Sequence, residues 1–365
     1  MIYKKIKVNL KDNAYSILIG NSILENINDY IEEHSIYKNI LVIVDKKVLS
    51  NHKRLSKIFL KNKFSKLNFY PLQVKESIKS ISYLIKINSF LLEKNYGRDT
   101  TIVAIGGGVI GDLAGFAAST FMRGVQLIQV PTTLLSAVDS SVGGKTGVNF
   151  NGKKNILGSF YQPKLVVVDI DFLSSLPKQE LTSGLGEIVK YSYLWNDDFF
   201  NYLNHNYSEV YNFNKIVLQK IIYNSLLIKS SIVVKDEKEQ SLRKILNLGH
   251  TFAHAFESYF NFRVKHGQAV IAGLAASFYL SNQLGILENE DLKKYLSLPS
   301  AIKIGSFLKS VDNKAIFKIM KSDKKNRDGQ IKFVLLKNIG EILLDVNAKS
   351  SQIYSAINKT KKLFN

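Results

Sequence analysis

The segment from residue 247 to 267 carries side chains that could bind a metal ion. It reads NLGHTFAHAFESYFNFRVKHG and holds His250, His254 and His266, three of the six histidines in the 365-residue chain. His250 and His254 are four residues apart, so on a helix they share one face. Two imidazoles that point into a packed site can bind a divalent cation when a carboxylate joins them. The alternative is two core histidines hydrogen-bonded to backbone and a surface His266, and the spacing does not decide between them.

A carboxylate for such a site stands in GLGEIVKY, residues 184–191. Glu187 and Lys190 are three residues apart and would share a helix face, a spacing that is also common in surface salt bridges. Together Glu187, His250 and His266 would form a set of two histidines and one carboxylate. Such a set leaves coordination positions open, as catalytic metal sites do. Because these residues are far apart in the chain, their spacing cannot establish that they meet.

The glycine-rich stretch GGGVIGD, residues 106–112, suggests a nucleotide site. It matches G-x-G-x-x-G between an apolar strand pattern and a helix pattern, which is the context of the dinucleotide fingerprint. Glycines let the backbone approach a pyrophosphate, whose charge the helix N-terminus faces. However, the next strand is followed by PTTLLSAVDSS and not by an acidic ribose ligand, so an ordinary Rossmann dehydrogenase is not expected. A tight glycine turn with close helix–strand packing is the alternative.

Two more segments offer polar groups to an anionic ligand. Asp45 follows the apolar run NILVIV, at a strand end where ribose hydroxyls are often bound, although a lone Asp there could equally cap the next helix. Residues 140–160 are dense in Gly, Lys and Asn, and their lysines suit anionic oxygens. The GGKT in this segment resembles the end of a P-loop, but the full spacing fails because residue 139 is Asp.

The elements that must position these groups fall into two parts. Up to about residue 175, apolar runs of strand length alternate with helical patterns, which is typical of a parallel sheet. After it, long helical periodicities follow, with a hairpin near 331–344. We therefore predict an α/β domain with a Rossmann-like parallel sheet over 1–175 and a mostly α-helical domain over 176–365. The helical patterns in the second part cover 178–195, 197–204, 214–235, 243–259 and 267–284.

Composition narrows the class of protein. The net charge is +20, but the lysines are scattered among Ile and Asn, so we expect no specific nucleic-acid partner. The absence of cysteine excludes disulfides and thiolate metal sites. The start, MIYKKIKVNL, has no apolar signal core, and the longest apolar run (269–280) is shorter than the about 20 residues that span a bilayer. We expect a soluble, cytoplasmic protein without a membrane partner.

In their order, these stretches resemble the 3-dehydroquinate synthase family of the sugar-phosphate cyclase superfamily, over roughly residues 40–340. The resemblance implies an α/β domain that binds NAD and a helical domain that holds one divalent metal, zinc or cobalt. It implies conversion of 3-deoxy-D-arabino-heptulosonate 7-phosphate to 3-dehydroquinate and phosphate in the shikimate pathway. The implied steps are transient oxidation by NAD, phosphate elimination, re-reduction and intramolecular aldol closure. The stretches that carry it are GGGVIGDLAGFAAS, MRGVQLIQVPTTLLSAVDSSVGGKTGVN, KNILGSFYQP, LTSGLGEIVKY, LRKILNLGHTFAHAFE and HGQAV.

The resemblance also implies roles for individual residues. The metal ligands would be Glu187, His250 and His266. Arg123 would reach the phosphate bound in a neighbouring subunit, which implies a homodimer. Contacts to the substrate's carboxylate, hydroxyls or phosphate would come from Lys145, Asn155, Lys190, Arg243, Asn247, His254 and Lys324. The NAD contacts would be Asp45, Glu76, Lys79, Gly107, Gly108, Val109, Asp112, Thr132, Thr133 and Lys154.

The chain departs from the family pattern at four places. VKESIK (74–79) replaces the usual DGExxK, which puts the local turn in doubt more than the contacts of Glu76 and Lys79. Gln268 stands where Glu is usual; if that Glu orients a ligand histidine, Gln268 must accept the same hydrogen bond without charge and could weaken metal affinity. Ser241 replaces a usual Gly, and GLGE replaces GLAE.

Two other functions stay open. One is a related enzyme, either a cyclase for a different sugar phosphate or a glycerol-type dehydrogenase. Lys145, Asn155, Lys190 and Arg243 favour a phosphorylated carboxylate over a neutral polyol. The other is a basic nucleic-acid binder, which a salt-sensitive affinity for DNA or RNA would reveal.

Overall fold

A computed structural model describes residues 4–11, 13–61, 64–322 and 330–365 of the chain. Lys324, which the resemblance assigned to substrate contact, lies outside these residues. The chain forms two compact units. The first comprises Met1–Leu176 and Phe213–Lys238, and the second comprises Pro177–Asn212 and Glu239–Asn365.

The first unit is built on a seven-stranded sheet. Its strands are β1 (Lys4–Val8), β2 (Tyr15–Gly20), β3 (Asn39–Asp45), β4 (Lys66–Leu72), β5 (Thr100–Gly106), β6 (Gln126–Pro131) and β9 (Leu165–Asp169). Their order across the sheet is β1-β2-β9-β6-β5-β3-β4. Among the described residues of this sheet, only β1 and β2 pair in antiparallel orientation. The Rossmann-like parallel sheet predicted from the apolar runs is confirmed.

Helices cover both faces of this sheet. They are α1 (Ile27–Glu33), α2 (Lys46–Asn51), α3 (Arg54–Leu60), α4 (Ile81–Glu93), α5 (Gly108–Thr120) and α8 (Lys215–Lys235). Successive side chains of a strand point to opposite faces. In β3, Ile40 and Val42 therefore join the core under α1 and α3, while Leu41 and Ile43 join the core under α4 and α5. Because both faces are covered, the central strands read as unbroken apolar runs.

Helix α8 belongs to the first unit, whereas the sequence analysis assigned all of 176–365 to one helical domain. Lys215 Nζ lies 2.6 Å from Asp171 Oδ1, and Lys229 Nζ lies 2.6 Å from Asp139 Oδ1. The helix also contacts β1 and β2. By length and composition α8 alone, among helices in the described part of the chain, could cross a membrane, but 61% of its apolar window is buried inside the protein. Its apolar composition thus serves the core of the first unit.

The second unit is mostly helical. Its helices are α6 (Lys178–Tyr193), α7 (Asp197–Asn206), α9 (His250–Tyr259), α10 (His266–Gln283), α11 (Asn289–Ala301), α12 (Asn313–Ser322) and α13 (Ser350–Leu363), and its hairpin joins β10 (Phe333–Asn338) to β11 (Glu341–Val346). Helix α10 is apolar on all sides and nearly every residue from Gly267 to Ser281 is buried, so it forms the centre of the unit.

The structure corrects two local predictions. The helix predicted over 243–259 is broken, because Gly249 takes a left-handed φ of +78° and α9 begins only at His250. The glycine- and lysine-rich segment after residue 144 forms a hairpin of β7 (Lys145–Phe150) and β8 (Lys153–Phe160). Asn151 and Gly152 make its turn with φ of +48° and +71°, the left-handed conformation that an Asn-Gly turn favours.

Candidate functional site

Three helices of the second unit bring Glu187, His250 and His266 together. Glu187 lies on α6, His250 opens α9 and His266 opens α10. Glu187 Oε1 is 3.3 Å from His250 Nε2 and 3.1 Å from His266 Nε2. One potential ligand atom from each residue lies within 4.8 Å of the other two. The set that sequence spacing could only suggest is therefore a spatial cluster.

Glycines allow the helices to come this close. A Cβ built on Gly186 would lie 2.4 Å from the carbonyl oxygen of Gly267, and one on Gly267 would lie 2.0 Å from that of Ser183. Both distances are far below van der Waals contact with backbone atoms. Gly186 precedes Glu187 and Gly267 follows His266, so this helix crossing sets the distance between the two candidate ligands.

The outer nitrogens of the two imidazoles fix how the rings face Glu187. His250 Nδ1 lies 3.2 Å from the backbone oxygen of Leu248, and His266 Nδ1 lies 3.3 Å from Glu257 Oε1. Carbonyl and carboxylate oxygens accept hydrogen bonds, so each Nδ1 is the donor. In the neutral rings both Nε2 lone pairs then point at Glu187 Oε1, where electron pairs repel unless a cation lies between them. This donor set fits a divalent metal.

The electrostatics of the cluster favour positive charge beside its two carboxylates. Glu187 is fully buried and Lys190 Nζ contacts its Oε2. Burial raises the pKa of Glu187, but Lys190 and the two histidines outweigh it and hold the pKa well below its usual value. Burial and Lys190 lower the pKa of His250. Burial also opposes charge on His266, yet Glu187 and Glu257 raise its pKa to about 10. Without metal, His266 is therefore protonated, and its two ring N–H groups face the carboxylates of Glu187 and Glu257.

Other residues of the second unit that the resemblance assigned to substrate lie on the same elements. Lys190 is buried on α6. The His254 ring, half-buried one turn along α9, has its centroid 5.3 Å from that of His250. Arg243 is buried in the short 3-10 turn Leu242–Asn247, and Asn247 Nδ2 donates to Glu239 Oε1 at 3.3 Å.

The carboxylate partner of His266 is Glu257, which the sequence analysis did not single out. It is buried on α9, seven residues after His250 and so on the same face, and that spacing was a usable signal. From the family pattern, position 268 was the expected site of this carboxylate. Gln268 Oε1 instead accepts the backbone N–H of Lys265 at 3.3 Å and caps the start of α10. The carboxylate beside His266 is therefore supplied by Glu257 and not by position 268.

In the first unit, the glycine-rich loop lies at the carboxyl end of the parallel strands. The order in which the chain adds strands reverses between β3 and β5: β4 follows β3 towards one edge of the sheet, and β6 follows β5 towards the other. Ligands of doubly wound folds bind at such a switch point. Gly107 and Gly108 lead from β5 into α5, whose first turn contains Val109. Asp45 ends β3, and its carboxylate accepts the Lys47 N–H at 2.9 Å, so the helix-cap alternative is what the structure shows. Thr132 and Thr133 directly follow β6.

A hydrogen-bond network joins four of the residues assigned to NAD or substrate. Buried Lys79 contacts the Asp112 carboxylate and Asn155 Oδ1. Asn149 donates to Glu76 Oε1 at 2.8 Å and accepts the Asn155 N–H at 3.1 Å. Burial raises the pKa of Asp112, against the effect of Lys79. The 3-10 turn Glu76–Ile78 thus forms despite the changed residues before it.

The remaining assigned residues of the first unit are exposed. Lys145 and Lys154 lie at the starts of the two hairpin strands. Arg123 and the preceding Met122 are both exposed and both left-handed, with φ of +67° and +49°. Two consecutive non-glycine residues in this region store strain, which is common at functional sites. The pair of buried Lys229 and half-buried Asp139 is a further ionic contact that the sequence did not reveal.

Known proteins resemble this chain both in sequence and in fold. The family descriptions "3-dehydroquinate synthase N-terminal" and "3-dehydroquinate synthase C-terminal" match residues 69–183 and 184–326. A curated 3-dehydroquinate synthase of Pelagibacter ubique (strain HTCC1062) is 42% identical, over 98% of this chain and 99% of the relative.

Solved structures agree in fold. A 2-deoxy-scyllo-inosose synthase complexed with carbaglucose-6-phosphate, NAD+ and Co2+ has a TM-score of 0.88 at 25% identity, covering 98% of this chain and 99% of that one. A 2-epi-5-epi-valiolone synthase from Streptomyces hygroscopicus subsp. jinggangensis 5008, with NAD+ and Zn2+ bound, has a TM-score of 0.85 at 23% identity, covering 97% and 98%. The second likeness shows the fold.

Proposed function

The chain belongs to the 3-dehydroquinate synthase family, and we propose that it converts 3-deoxy-D-arabino-heptulosonate 7-phosphate to 3-dehydroquinate and phosphate, as a lyase of the shikimate pathway. The observation that carries the proposal is the cluster of buried Glu187 with His250 and the half-buried His266. It occurs in a chain that matches curated 3-dehydroquinate synthases over nearly its whole length.

The proposed cofactors are NAD and one divalent metal, zinc or cobalt. Related cyclases hold NAD+ with Co2+ or Zn2+, and the donor set of this chain suits either ion. Glu187, His250 and His266 would hold the metal. When bound, NAD supplies a hydride acceptor and donor, and the metal supplies a Lewis acid that lowers the pKa of a substrate hydroxyl.

The first unit would bind the dinucleotide. The backbone of the glycine-rich loop and the N-terminus of α5 would bind its pyrophosphate, as in other doubly wound folds. The Lys79–Asp112–Asn155 network orders the polar groups beside this loop. The proposed NAD contacts are Asp45, Glu76, Lys79, Gly107, Gly108, Val109, Asp112, Thr132, Thr133 and Lys154.

The substrate is a dianionic phosphate ester that also carries a carboxylate, so it calls for several cations. Lysine and arginine donors form strong, charge-assisted hydrogen bonds to such groups. Lys190 is held in place by Glu187, so its ammonium is oriented before the substrate arrives. The proposed substrate contacts are Lys145, Asn155, Lys190, Arg243, Asn247, His254 and Lys324, with Arg123 from a neighbouring subunit.

A homodimer would explain the exposed strained loop around Arg123. Met122 of this loop exposes 40% of its surface, and Ile156 and Phe160 of β8 each expose 46%. Ser159 Oγ of β8 donates to Ser119 Oγ near the end of α5 at 2.9 Å, which brings the hairpin to the helix that leads into the loop. Large exposed apolar side chains are typical of protein–protein interfaces. The proposed location is the cytoplasm, a reducing compartment in which proteins rarely form disulfides, and this chain contains no cysteine.

Phosphate release tests the proposed reaction. Purified protein with a catalytic amount of NAD and with Zn2+ or Co2+ should release phosphate from the heptulosonate 7-phosphate and form 3-dehydroquinate. Glucose 6-phosphate serves as the comparison substrate and should release none. Failure with the first substrate, in folded protein shown to bind NAD and metal, would reject the proposal. Release from glucose 6-phosphate alone would indicate a cyclase for another sugar phosphate.

A further inference from the structure

The two candidate metal ligands have different partners at their outer nitrogens. His250 Nδ1 donates to a neutral backbone carbonyl, that of Leu248. His266 Nδ1 faces the carboxylate of Glu257, which is 9% exposed. A ligand imidazole that donates to a carboxylate becomes a stronger base toward the metal, and its orientation and tautomer are fixed.

We propose that Glu257 is a positioning residue for the metal centre: its carboxylate holds His266 with Nε2 toward Glu187 and strengthens that nitrogen as a ligand. This inference rests on the proposed metal-dependent function. It adds a residue that acts on the ion through His266 and does not touch it.

The position of Glu257 supports this role. It lies on α9, whereas the histidine that it contacts opens α10, so the contact ties together the two helices that supply the nitrogen ligands. Glu187 approaches the same ring from α6, on its other nitrogen. His266 is therefore held between two carboxylates on two different helices, and rotation of its ring would break both contacts.

Charge balance gives a second argument. A buried charge is costly unless it is paired. Glu187 and Glu257 bring two negative charges, while Lys190 and a divalent ion bring three positive ones, which leaves one positive charge for an anionic substrate oxygen. Removing the charge of Glu257 would leave an excess of two at the buried site. The metal should then bind less tightly.

Metal affinity measures the role directly. Competition with a chromophoric chelator should show Zn2+ bound about 10- to 100-fold more weakly by Glu257→Gln, the usual cost of losing such a partner, and at least as weakly by Glu257→Ala. Glu180→Gln is the matched control, because Glu180 also binds the start of α10, through Lys265 Nζ at 2.6 Å, but does not contact His266. Its affinity should equal that of the wild type.

Two further readouts separate positioning from a merely structural role. The visible spectrum of the Co2+-loaded protein should shift in Glu257→Gln and stay unchanged in Glu180→Gln. In the metal-loaded wild type, nitrogen NMR should show His266 protonated at Nδ1, and this measurement does not depend on whether a variant folds. Unchanged affinity in Glu257→Gln, or a proton on Nε2, would overturn the inference. Wild-type protein that binds no metal would instead reject the metal centre itself.

Discussion

Glu187 meets two imidazoles and an ammonium group while fully buried, so its surroundings are built around one carboxylate. Replacing a partner of this carboxylate should act locally. We expect His250→Ala to abolish metal binding and to leave NAD binding nearly unchanged, because all the proposed nucleotide contacts belong to the first unit. Metal content after dialysis and NAD titration by fluorescence would measure the two effects. Equal loss of both would show that His250 supports the fold.

Metal binding should release a proton and should strengthen as pH rises. The pKa of His266, raised to about 10, keeps the ring protonated at neutral pH in the metal-free protein, so a metal must displace that proton. Affinity should therefore increase with pH until about 10 is passed. Calorimetry at pH 7.5 in buffers of different ionisation enthalpy should report about one proton released per ion. A binding enthalpy independent of the buffer would contradict this expectation.

Single residues differ in how far the sequence predicts them. Glu187, His250 and His266 could be proposed because the resemblance names them, whereas the i, i+4 spacing of His250 and His254 pointed to a different ligand pair. Glu257 was missed because its partner lies on another helix. Its spacing from His250 indicates a shared helix face but not the contact with His266. Site chemistry was thus predictable by type, and its supporting hydrogen bonds were not.

At the scale of elements, the crossing of α6 and α10 depends on glycine. Gly186 stands where the family pattern has Ala, and a Cβ there would lie 2.4 Å from the Gly267 carbonyl oxygen. We expect Gly186→Ala to destabilise the protein by about 1–3 kcal/mol, as overpacked cores do, and to weaken metal binding by moving Glu187 away from His266. Urea unfolding and chelator competition would measure both effects.

A control for this change is Ser192→Ala on the same helix, which removes a hydroxyl oxygen and adds no bulk. It should retain the metal affinity of the wild type. If Gly186→Ala also binds metal like the wild type, α6 and α10 can adjust without disturbing the candidate ligands, and the glycine is not required for the site.

Element prediction succeeded where the hydrophobic period was strong. The buried strands were recognised from their apolar runs, because parallel strands covered on both faces cannot alternate in polarity. The hairpin β7–β8 was missed because its exposed strands are rich in Lys and Asn, although Asn151-Gly152 is a turn signal. Helices α11, α12 and α13 were not among the predicted helical patterns. In α12 and α13 a signal was present, because Ile316 and Met320, and Ile353 and Ile357, mark buried stripes at i, i+4 spacing.

At the scale of the whole molecule, the first unit is assembled from two separate stretches of chain. A fragment of residues 1–176 lacks α8 and should expose the surface that this helix covers. We compare it with a matched chain that ends at residue 238 and in which a short Gly-Ser linker replaces residues 177–212. The fragment should aggregate, or unfold at a lower denaturant concentration than the matched chain. Such a linker can bridge the gap because Lys215 Nζ lies only 2.6 Å from Asp171 Oδ1. Light scattering and urea unfolding would compare the two, and equal stability would show that α8 is dispensable.

The return of α8 to the first unit also constrains how the protein is made. A ribosome releases the chain from its N-terminus, and residues 177–212 emerge before the helix that completes the first unit. The surface of the nascent sheet near β1 and β2 therefore remains exposed until residue 238 has left the exit tunnel. Chaperone contact during synthesis should be concentrated in that interval.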